Sequence, residues 1–388
     1  MSNLPTAGEP SRPRQQIKPM EDDQKRVKIL VLGWRKAGKS SCIKTVFQKV
    51  PVRDVAYFSV TQKIEKINYD SIIPLQIWDT PANFELDQLD VPIGSFATII
   101  FVMDMQQDDS YHDAISKFVG IMLRAHLMAP KIKFVVFIHK AEVLSEEYRA
   151  ENYGEIQRTT VDNLDYFDYP SLQHLATHLD LSDPHVCQGI GDQLTTAQVR
   201  FDMTSVHDAS LRDAWSKVIQ GIMDILPDVE SLMMHFTESS GMDNSFLFDI
   251  NSGVIVGADN RQRNDATLEQ VTEYLSRFLQ FRELYKNLKM QPEEHESNGV
   301  TTEVDNDEED EEPSDEPSGW WDEEDPSKPW MFQSTRLLPK TTITLWQFTP
   351  HLALVALLQT DVWQARRGMI EYNLTFLRQG MRGILMEM

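Results

Sequence analysis

The sequence predicts an α/β domain with a mostly parallel sheet and helices on both faces, followed by an α+β domain. Apolar runs typical of buried strands alternate with helical periodicity from Val27 to Leu226. A glycine-containing octet joins the first strand to the first helix, and after Pro227 the pattern changes to a hairpin and a long helix. The 388 residues, of which 41% are apolar, suffice for two hydrophobic cores.

The first domain is predicted to contain five strands and a closing helix. The strands are Val27–Leu32, Pro74–Trp78, Ala97–Asp104, Lys133–His139 and Val199–Met203. Because apolar and polar residues alternate in Val199–Met203, we expect this strand near an edge of the sheet. Apolar residues at helical spacing predict a helix from Ser210 to Leu226, which Pro227 would end.

The second domain is predicted to contain a hairpin, further strands and three helices. Asn251-Ser252-Gly253 is a good hairpin turn between the strands Phe246–Ile250 and Val254–Gly257. The remaining strands are predicted at Met331–Leu338, Thr341–Phe348 and Leu352–Leu358, and the helices at Val229–Thr237, Ala266–Leu288 and around Ile370–Leu385.

Negative charge is concentrated in one segment. The net charge is −23, and Gln291–Pro329 holds 17 acidic residues against one base, Lys328. Such a tract repels itself, so we predict a disordered insertion at about 291–329, besides a disordered tail at 1–24. The predicted domains are therefore 25–228 and 229–388. The rest of the chain has no basic footprint, so no nucleic acid is expected as a partner.

A second insertion is predicted at about 168–196, where periodicity is weak. His174, His178, His185 and Cys187 lie there and are residue types that bind zinc. Their spacing matches no closed zinc pattern, so a surface loop is the preferred interpretation.

Composition also bears on the compartment. No apolar run approaches the ~20 residues of a membrane-spanning helix, so direct membrane insertion is not expected. Met1–Gln24 lacks the apolar region of a signal peptide. The two cysteines, Cys42 and Cys187, are too few for a disulfide framework, which favours a reducing compartment. Cys42 is interpreted as a small packed residue rather than a redox group.

The octet Gly33-Trp34-Arg35-Lys36-Ala37-Gly38-Lys39-Ser40 has the spacing G-x-x-x-x-G-K-S between a strand and a helix. Glycines there let the backbone wrap a phosphate, and the helix N-terminus directs N–H groups at it. Lys39 supplies a mobile charge and Ser40 a hydroxyl for Mg²⁺. The octet therefore predicts binding of a nucleoside diphosphate or triphosphate.

Two downstream residues complete a predicted metal site. Thr61 lies in a loop, from which its hydroxyl would reach Mg²⁺ when a γ-phosphate is present. Asp79 follows the strand Pro74–Trp78 and matches a Walker B acid, which holds the water shell of the metal. Ser40, Thr61 and, through water, Asp79 are thus the predicted metal residues.

Two further strand ends predict base recognition. His139-Lys140-Ala141-Glu142 stands where guanine-binding proteins carry N-K-x-D. Its carboxylate would accept hydrogen bonds from guanine N1 and N2, and the Lys140 stem would pack over the ring. In Thr204-Ser205-Val206, a backbone N–H would meet guanine O6. Open α/β sheets bind ligands at the carboxyl ends of their strands, where all these elements lie.

This ordered set resembles the Rag GTPases, called Gtr in fungi, and specifically their C/D-type subunit with its H-K-x-[DE] variant of the base motif. Phe246-Leu247-Phe248-Asp249-Ile250 and Leu352-Ala353-Leu354-Val355 also resemble the second domain of that family. The resemblance covers about 27–290 and 331–388. It implies a Ras-like P-loop GTPase domain, a roadblock/longin-like α+β domain, and GTP or GDP with Mg²⁺ as cofactors.

The resemblance also implies a site and partners. The implied nucleotide-binding residues are Gly33, Arg35, Lys36, Ala37, Gly38, Lys39, Ser40, Ser41, Thr61, His139, Lys140, Glu142, Ser205 and Val206. The family pairs an A/B-type with a C/D-type subunit through the C-terminal roadblock-like domains. The pair lies on a vacuolar or lysosomal scaffold complex and signals amino-acid sufficiency to the target-of-rapamycin kinase complex. A cytoplasmic chain, peripheral on that membrane and also present in the nucleus, is implied.

Three positions depart from the family pattern. The family usually has Gly and then Gln where this chain has Ala82 and Asn83. A Cβ at Ala82 disfavours some φ values near the γ-phosphate, and Asn83, at the water-orienting position, is one methylene shorter than Gln. We therefore expect slow or activator-dependent hydrolysis, with no residue assigned as certainly catalytic. Glu142 in place of Asp predicts looser guanine selectivity.

Two alternatives to a hydrolysing switch remain open. The first is a pseudo-GTPase scaffold subunit that binds nucleotide with little hydrolysis and acts mainly through dimerisation. The second is a P-loop nucleotide kinase or ATPase, which would need an arginine-rich lid and a phosphate-acceptor site. Neither feature is visible in the sequence.

Overall fold

The computed structural model describes residues 26–106, 111–261, 265–285, 331–337 and 340–386. The tail predicted at 1–24 and the acidic insertion predicted at 291–329 lie outside the described residues. Within the described ranges, no helix combines the length and the apolar character that crossing a bilayer requires.

The first domain is a six-stranded sheet with strand order β2-β3-β1-β4-β5-β6. The strands are β1 Val27–Gly33, β2 Glu65–Asp70, β3 Pro74–Asp79, β4 Phe96–Asp104, β5 Lys133–His139 and β6 Val199–Thr204. All neighbours run parallel except β2, which is antiparallel to β3. The Ras-like, mostly parallel sheet is confirmed, and β6 lies at an edge as expected. Strand β2 was not predicted from the sequence, because its only buried side chains are Ile67 and Tyr69.

Helices cover both faces of this sheet. They are α1 Lys39–Phe47, α2 Tyr111–Met128, α3 Glu146–Asp165, α4 Pro184–Gln193 and α5 Ser210–Ile222. On one face, Trp215 of α5 packs edge-on against Phe47 of α1 with ring centroids 4.7 Å apart. Its indole N–H donates a hydrogen bond of 3.0 Å to the carbonyl of Cys42. The helix that follows the octet is therefore held firmly against α5, and Cys42 is a packed residue, as expected.

The expectation of a surface loop at 168–196 is wrong. This stretch contains a short 3₁₀ helix, Tyr169–Leu175, and the helix α4. The Asp183 side chain accepts a hydrogen bond of 2.9 Å from the His185 N–H and so caps the helix. Pro184 lies in the first turn, where a backbone N–H would have no intrahelical acceptor. Leu172 and Ile190 pack into the core, which explains the order. The described residues contain no group of three His, Cys, Asp or Glu side chains that could hold a metal.

Pro227 begins a helix instead of ending one. The helix that starts at Ser210 stops at Ile222, and α6, Leu226–Ser240, carries Pro227 in its first turn. Proline is favoured there because the first N–H groups of a helix have no intrahelical acceptor.

The second domain is a five-stranded antiparallel sheet with order β8-β7-β11-β10-β9. Its strands are β7 Asn244–Asp249, β8 Ile255–Ala258, β9 Phe332–Leu337, β10 Thr341–Gln347 and β11 Leu352–Gln359. Helix α7, Asp265–Tyr285, packs on one face, and α6 with α8, Thr360–Met386, packs on the other. The roadblock/longin-like architecture is confirmed; residues 286–288 of the predicted long helix lie outside the described residues.

The two domains share one apolar core, to which α5, α6 and the inner side chains of both sheets contribute. Hydrogen bonds between α5 and the backbone of β8 also join the two domains. The Ile255 N–H donates to Ser216 Oγ at 2.9 Å, and the Gln220 amide donates to the Ile255 carbonyl at 2.8 Å. Strand β8 is therefore attached directly to α5 of the first domain.

Candidate nucleotide-binding site

The octet forms the turn between β1 and α1, and neither of its two glycines can be replaced. Gly33 has φ +150°, and a Cβ there would lie 2.3 Å from the Val102 carbonyl oxygen. Gly38 has φ +100°, and its Cβ would lie 2.5 Å from Cδ2 of His139. Both positions combine an unfavourable φ with a close approach, so only glycine fits.

Lys39 is almost fully buried within the loop that it follows. Its ammonium donates hydrogen bonds to the carbonyls of Gly33, at 3.0 Å, and Trp34, at 3.2 Å. Burial lowers the pKa of Lys39, and the nearby Asp79 carboxylate partly opposes this effect. A phosphate would give the ammonium the charged partner that these carbonyls do not supply.

The remaining octet residues divide by exposure. Arg35 and Lys36 are exposed, whereas Ala37 is buried. Lys36 adopts φ +61°, which curves the loop before Gly38. Ser41 lies half-buried in the first turn of α1, where its carbonyl accepts the Thr45 hydroxyl at 2.6 Å.

The three residues predicted to hold a metal meet in one cluster. Ser40 Oγ donates to Asp79 Oδ2 at 2.5 Å and lies 2.9 Å from Thr61 Oγ1. Thr61 Oγ1 also donates to Asp79 Oδ2, at 3.2 Å. Residues from α1, from the loop before β2 and from the end of β3 thus converge at the carboxyl edge of the sheet.

The oxygen atoms of this cluster fit Mg²⁺. Oδ1 of Asp79 is buried without a hydrogen-bond partner among the described residues. Burial raises the pKa of Asp79, against the hydrogen bonds from Ser40 and Thr61 and the charge of Lys39. A bound cation would favour the charged carboxylate, and hydroxyl, carboxylate and phosphate oxygens are the ligands that Mg²⁺ prefers.

Lys140 connects the base motif to the octet. It adopts φ +64°, and its ammonium donates to the Lys36 carbonyl at 3.0 Å and to Asp104 Oδ2 at 2.5 Å. Asp104 ends β4 and is only 6% exposed. Its other oxygen accepts the Gln106 N–H at 3.0 Å, so the carboxylate is fixed on both sides.

Asp104 was not predicted from the sequence as a functional residue. The available signal was an acidic residue at the carboxyl end of an otherwise apolar strand, in line with Asp79 and His139. Its position in β4 places it opposite His139 in β5, next to Lys140. The structure therefore adds Asp104 as a residue that positions Lys140.

His139 lies between the octet and β6. Its Nδ1 is 3.0 Å from Thr204 Oγ1, and the other side of its ring faces Gly38. Burial lowers the pKa of His139 to about 4, against the opposing effect of Glu142. The imidazole is therefore neutral near pH 7 and acts by shape and by a neutral hydrogen bond.

Glu142 and Ser205 lie beyond His139 at the same edge. Oε2 of Glu142 is buried and has no hydrogen-bond partner among the described residues. Its Oε1 lies 3.8 Å from His207 Nε2. The Ser205 N–H donates to Ser210 Oγ at 2.9 Å, so this amide is already engaged. Val206 is half-buried against the shared core. The unpartnered carboxylate oxygen is the group here best suited to receive a base.

The backbone of Ala82, in the segment after Asp79, is unstrained. Among the described residues, positive φ at a non-glycine position occurs only at Lys36, Lys49 and Lys140, so Ala82 is not in the left-handed region. The Ala82 carbonyl accepts a hydrogen bond of 3.3 Å from the Lys117 ammonium. The Asn83 side chain is exposed. In this conformation Asn83 is not packed into the site.

The family model described as "Gtr1/RagA G protein conserved region" matches residues 28–279. GTP-binding protein gtr2 of Schizosaccharomyces pombe is 27% identical over 365 residues, which cover 92% of this chain and 97% of that protein. Ras-related GTP-binding protein C of Homo sapiens is 29% identical, covering 61% of this chain and 54% of its own length. GTP-binding protein gtr1 of S. pombe is 21% identical over 65% of this chain and 76% of that protein.

Among solved structures, Myxococcus xanthus MglB covers 42% of this chain and 92% of its own, with a TM-score of 0.28 and 10% identity. That likeness is too remote to support a functional conclusion. The family match spans the octet, the metal cluster, the base motif and the start of the second domain. The chain belongs to the Gtr1/RagA family of G proteins.

Proposed function

We propose that this chain is a guanine-nucleotide switch, the C/D-type subunit of a Rag/Gtr heterodimer. The observation that carries the proposal is the convergence of Ser40, Thr61 and Asp79 beside Lys39. A loop threonine bound to the same carboxylate as the P-loop serine is placed to respond to a γ-phosphate and its metal. The C/D-type assignment is supported by the comparison with two proteins of the same yeast, because the match to gtr2 is longer and has a higher sequence identity than the match to gtr1.

Guanine selectivity is assigned to Glu142, whose buried Oε2 has no partner among the described residues. A base that donates two hydrogen bonds would satisfy it, and adenine offers no such pair of donors at that edge. An unpaired buried carboxylate oxygen is costly, so the matching base gains more than its own contacts. Lys140, fixed by Asp104, would pack its stem over the ring.

Hydrolysis to GDP and phosphate is proposed to be slow or dependent on an activator. Asn83 is exposed, and the neighbouring Ala82 carbonyl is bound by Lys117. A side chain outside the site does not orient an attacking water, so a partner must reposition it or supply another group. The same observation favours the second candidate function, a scaffold subunit that binds nucleotide with little turnover.

Partner binding is proposed to occur through the second domain. Among the described residues β9 pairs only with β10, and Phe332 at its start is 43% exposed. Phe281 and Leu284 of α7 are also exposed, at 60% and 74%. An open strand edge and exposed apolar side chains in the same domain support pairing with an A/B-type subunit. The heterodimer would lie on a vacuolar or lysosomal scaffold and signal amino-acid sufficiency to the target-of-rapamycin kinase complex.

The testing experiment is co-expression with an A/B-type subunit, followed by identification of the bound nucleotide and titration with fluorescent GTP and ATP. We expect a one-to-one complex that binds GTP in preference to ATP, with Glu142→Ala abolishing the preference and the exposed Glu147→Ala retaining it. Equal affinity for ATP would contradict the base assignment. Single-turnover phosphate release in the same preparation then separates a switch from a scaffold.

A further inference from the structure

A cleft of about 840 Å³ lies between the two domains. The first domain lines it with six residues at and after the end of α1, and with the junction between β6 and α5. The second domain lines it with the β7–β8 turn and with α7. A volume of this size is in the range of sites for small organic ligands, which often lie between domains.

The charged side chains that line this cleft are mostly cationic. Lys49, Arg212 and Arg282 line it, against the single carboxylate of Asp208. The Asp208 carboxylate is hydrogen-bonded within its own segment, because its Oδ1 accepts a hydrogen bond from the Ser210 N–H at 2.9 Å. Neither arginine forms a salt bridge with any residue in the described ranges. Arginines that line a common space without an ion pair favour an anion there.

The walls between these cations are apolar. Val46, Leu211 and Leu275 are buried at the base of the cleft, and Val50 and Leu279 are half-buried along it. Arg212 itself is half-buried, with its Nε 3.6 Å from the Cβ position of Gly253, which has φ +71°. The Arg212 side chain therefore lies beside the β7–β8 turn of the second domain.

We propose that this cleft binds a small amphipathic anion, a carboxylate, sulfonate or phosphate carried on an apolar body. The anion would pair with Arg212 and Arg282, and the apolar body would lie on Val46, Leu211 and Leu275. The ligand would contact both domains at once and therefore stabilise their relative arrangement. Val46 and Val206 connect the cleft to α1 and to the base-recognition segment, so such a ligand and a nucleotide are expected to affect each other's affinity.

The test uses the intact chain and 8-anilinonaphthalene-1-sulfonate, a fluorescent sulfonate on an aromatic body. N-phenyl-1-naphthylamine has nearly the same body without the anion and serves as the matched probe. We expect saturable one-to-one binding of the sulfonate, weakened about tenfold by Arg212→Met, with the neutral probe unaffected. Arg158→Met, an exposed arginine outside the cleft, should leave both probes unchanged. The exposed Arg282→Met gives a second reading if Arg212→Met perturbs folding.

Titrations with and without saturating GDP and Mg²⁺ separate this proposal from the proposed function. Loss of sulfonate binding in the arginine variants supports anion binding in the cleft, whether or not the chain is selective for guanine. Equal binding by wild type and both variants would overturn the proposal. Carbodiimide cross-links from Lys49 to carboxylates of residues 291–329 in the ligand-free chain would also overturn it, because the acidic tract would then occupy the cleft.

Discussion

The hydroxyl of Tyr69, in β2 of the first domain, donates a hydrogen bond of 2.5 Å to Oδ1 of Asp249, at the end of β7 in the second. Both side chains are buried. The same oxygen accepts the N–H groups of Asn251, at 3.0 Å, and Ser252, at 2.8 Å. One carboxylate therefore orders the hairpin turn of the second domain and holds the edge strand of the first.

Replacing Tyr69 with Phe is expected to destabilise this junction. The change removes one donor to a buried carboxylate, which costs about 1–3 kcal/mol of unfolding free energy. Hydrogen exchange at the β7–β8 turn should rise in the same variant. Denaturant unfolding is the measurement, and Tyr57→Phe is the control because Tyr57 is 85% exposed. Equal losses in the two variants would show that the hydroxyl contact does not stabilise the domain junction.

His139 makes stability depend on pH. Its pKa is about 4 in the folded chain, below the usual 6.5, because the ring is buried. Between these values the unfolded chain binds more protons, so stability is lost as the pH falls through this window, by up to about 3 kcal/mol. Urea midpoints of wild type and His139→Asn at about pH 7 and about pH 5 isolate this contribution. The wild type should lose more stability than the variant on acidification, and parallel losses would refute the assignment.

Ser40→Asn is expected to weaken binding of Mg²⁺ and GTP by about tenfold or more, equivalent to at least ~1.4 kcal/mol. The hydroxyl that bonds Asp79 and Thr61 is lost, and a larger amide enters the metal site. GTP titrations over a range of Mg²⁺ concentrations measure the effect, with Ser95→Asn as an exposed control. Unchanged Mg²⁺ dependence would contradict the metal assignment.

Asp104→Asn is expected to speed release of guanine nucleotide about tenfold. The carboxylate that fixes Lys140 is 3% exposed, so its loss leaves a cation without its buried partner. Release of a fluorescent nucleotide measures the rate. Glu371→Gln is the control, since it breaks an exposed pair with Arg367 in which the side chains are 47% and 58% exposed. A rate like that of the control would show that Asp104 does not support the site.

Asn83→Gln is expected to raise single-turnover GTP hydrolysis by about tenfold, a change of ~1.4 kcal/mol in the barrier. A Gln side chain is one methylene longer and restores the group that orients the attacking water in many GTPases. GTP affinity should not change, because the exposed Asn83 side chain forms no hydrogen bond with the described site residues. No gain in rate, with or without an activator, would favour the scaffold function.

Local patterns predicted the octet, the metal cluster and the base motif because these residues lie at strand ends that parallel pairing brings together. Strand β2 escaped detection because only Ile67 and Tyr69 of its residues are buried. Helix α4 was missed because Gly, His and Asp mask its periodicity, although Asp183-Pro184 is a recognisable helix start.

Contacts that depend on tertiary packing could not be predicted from the sequence. Nothing next to Asp104 indicates that it pairs with Lys140, 36 residues away. The Tyr69–Asp249 contact joins residues 180 positions apart. The cleft beside Arg212 exists only once two domains share a core.

The burial of Cys42 makes the labelling rate of its thiol a measure of local opening. The thiol is fully buried one turn after Lys39, burial raises its pKa, and Trp215 is bonded to its carbonyl. A disulfide reagent can reach it only when α1 separates from α5, whereas Cys187 is half-buried and supplies an internal reference. The ratio of the two labelling rates would report how often α1 separates from α5. A bound nucleotide, which stabilises α1, would slow labelling of Cys42 and not of Cys187.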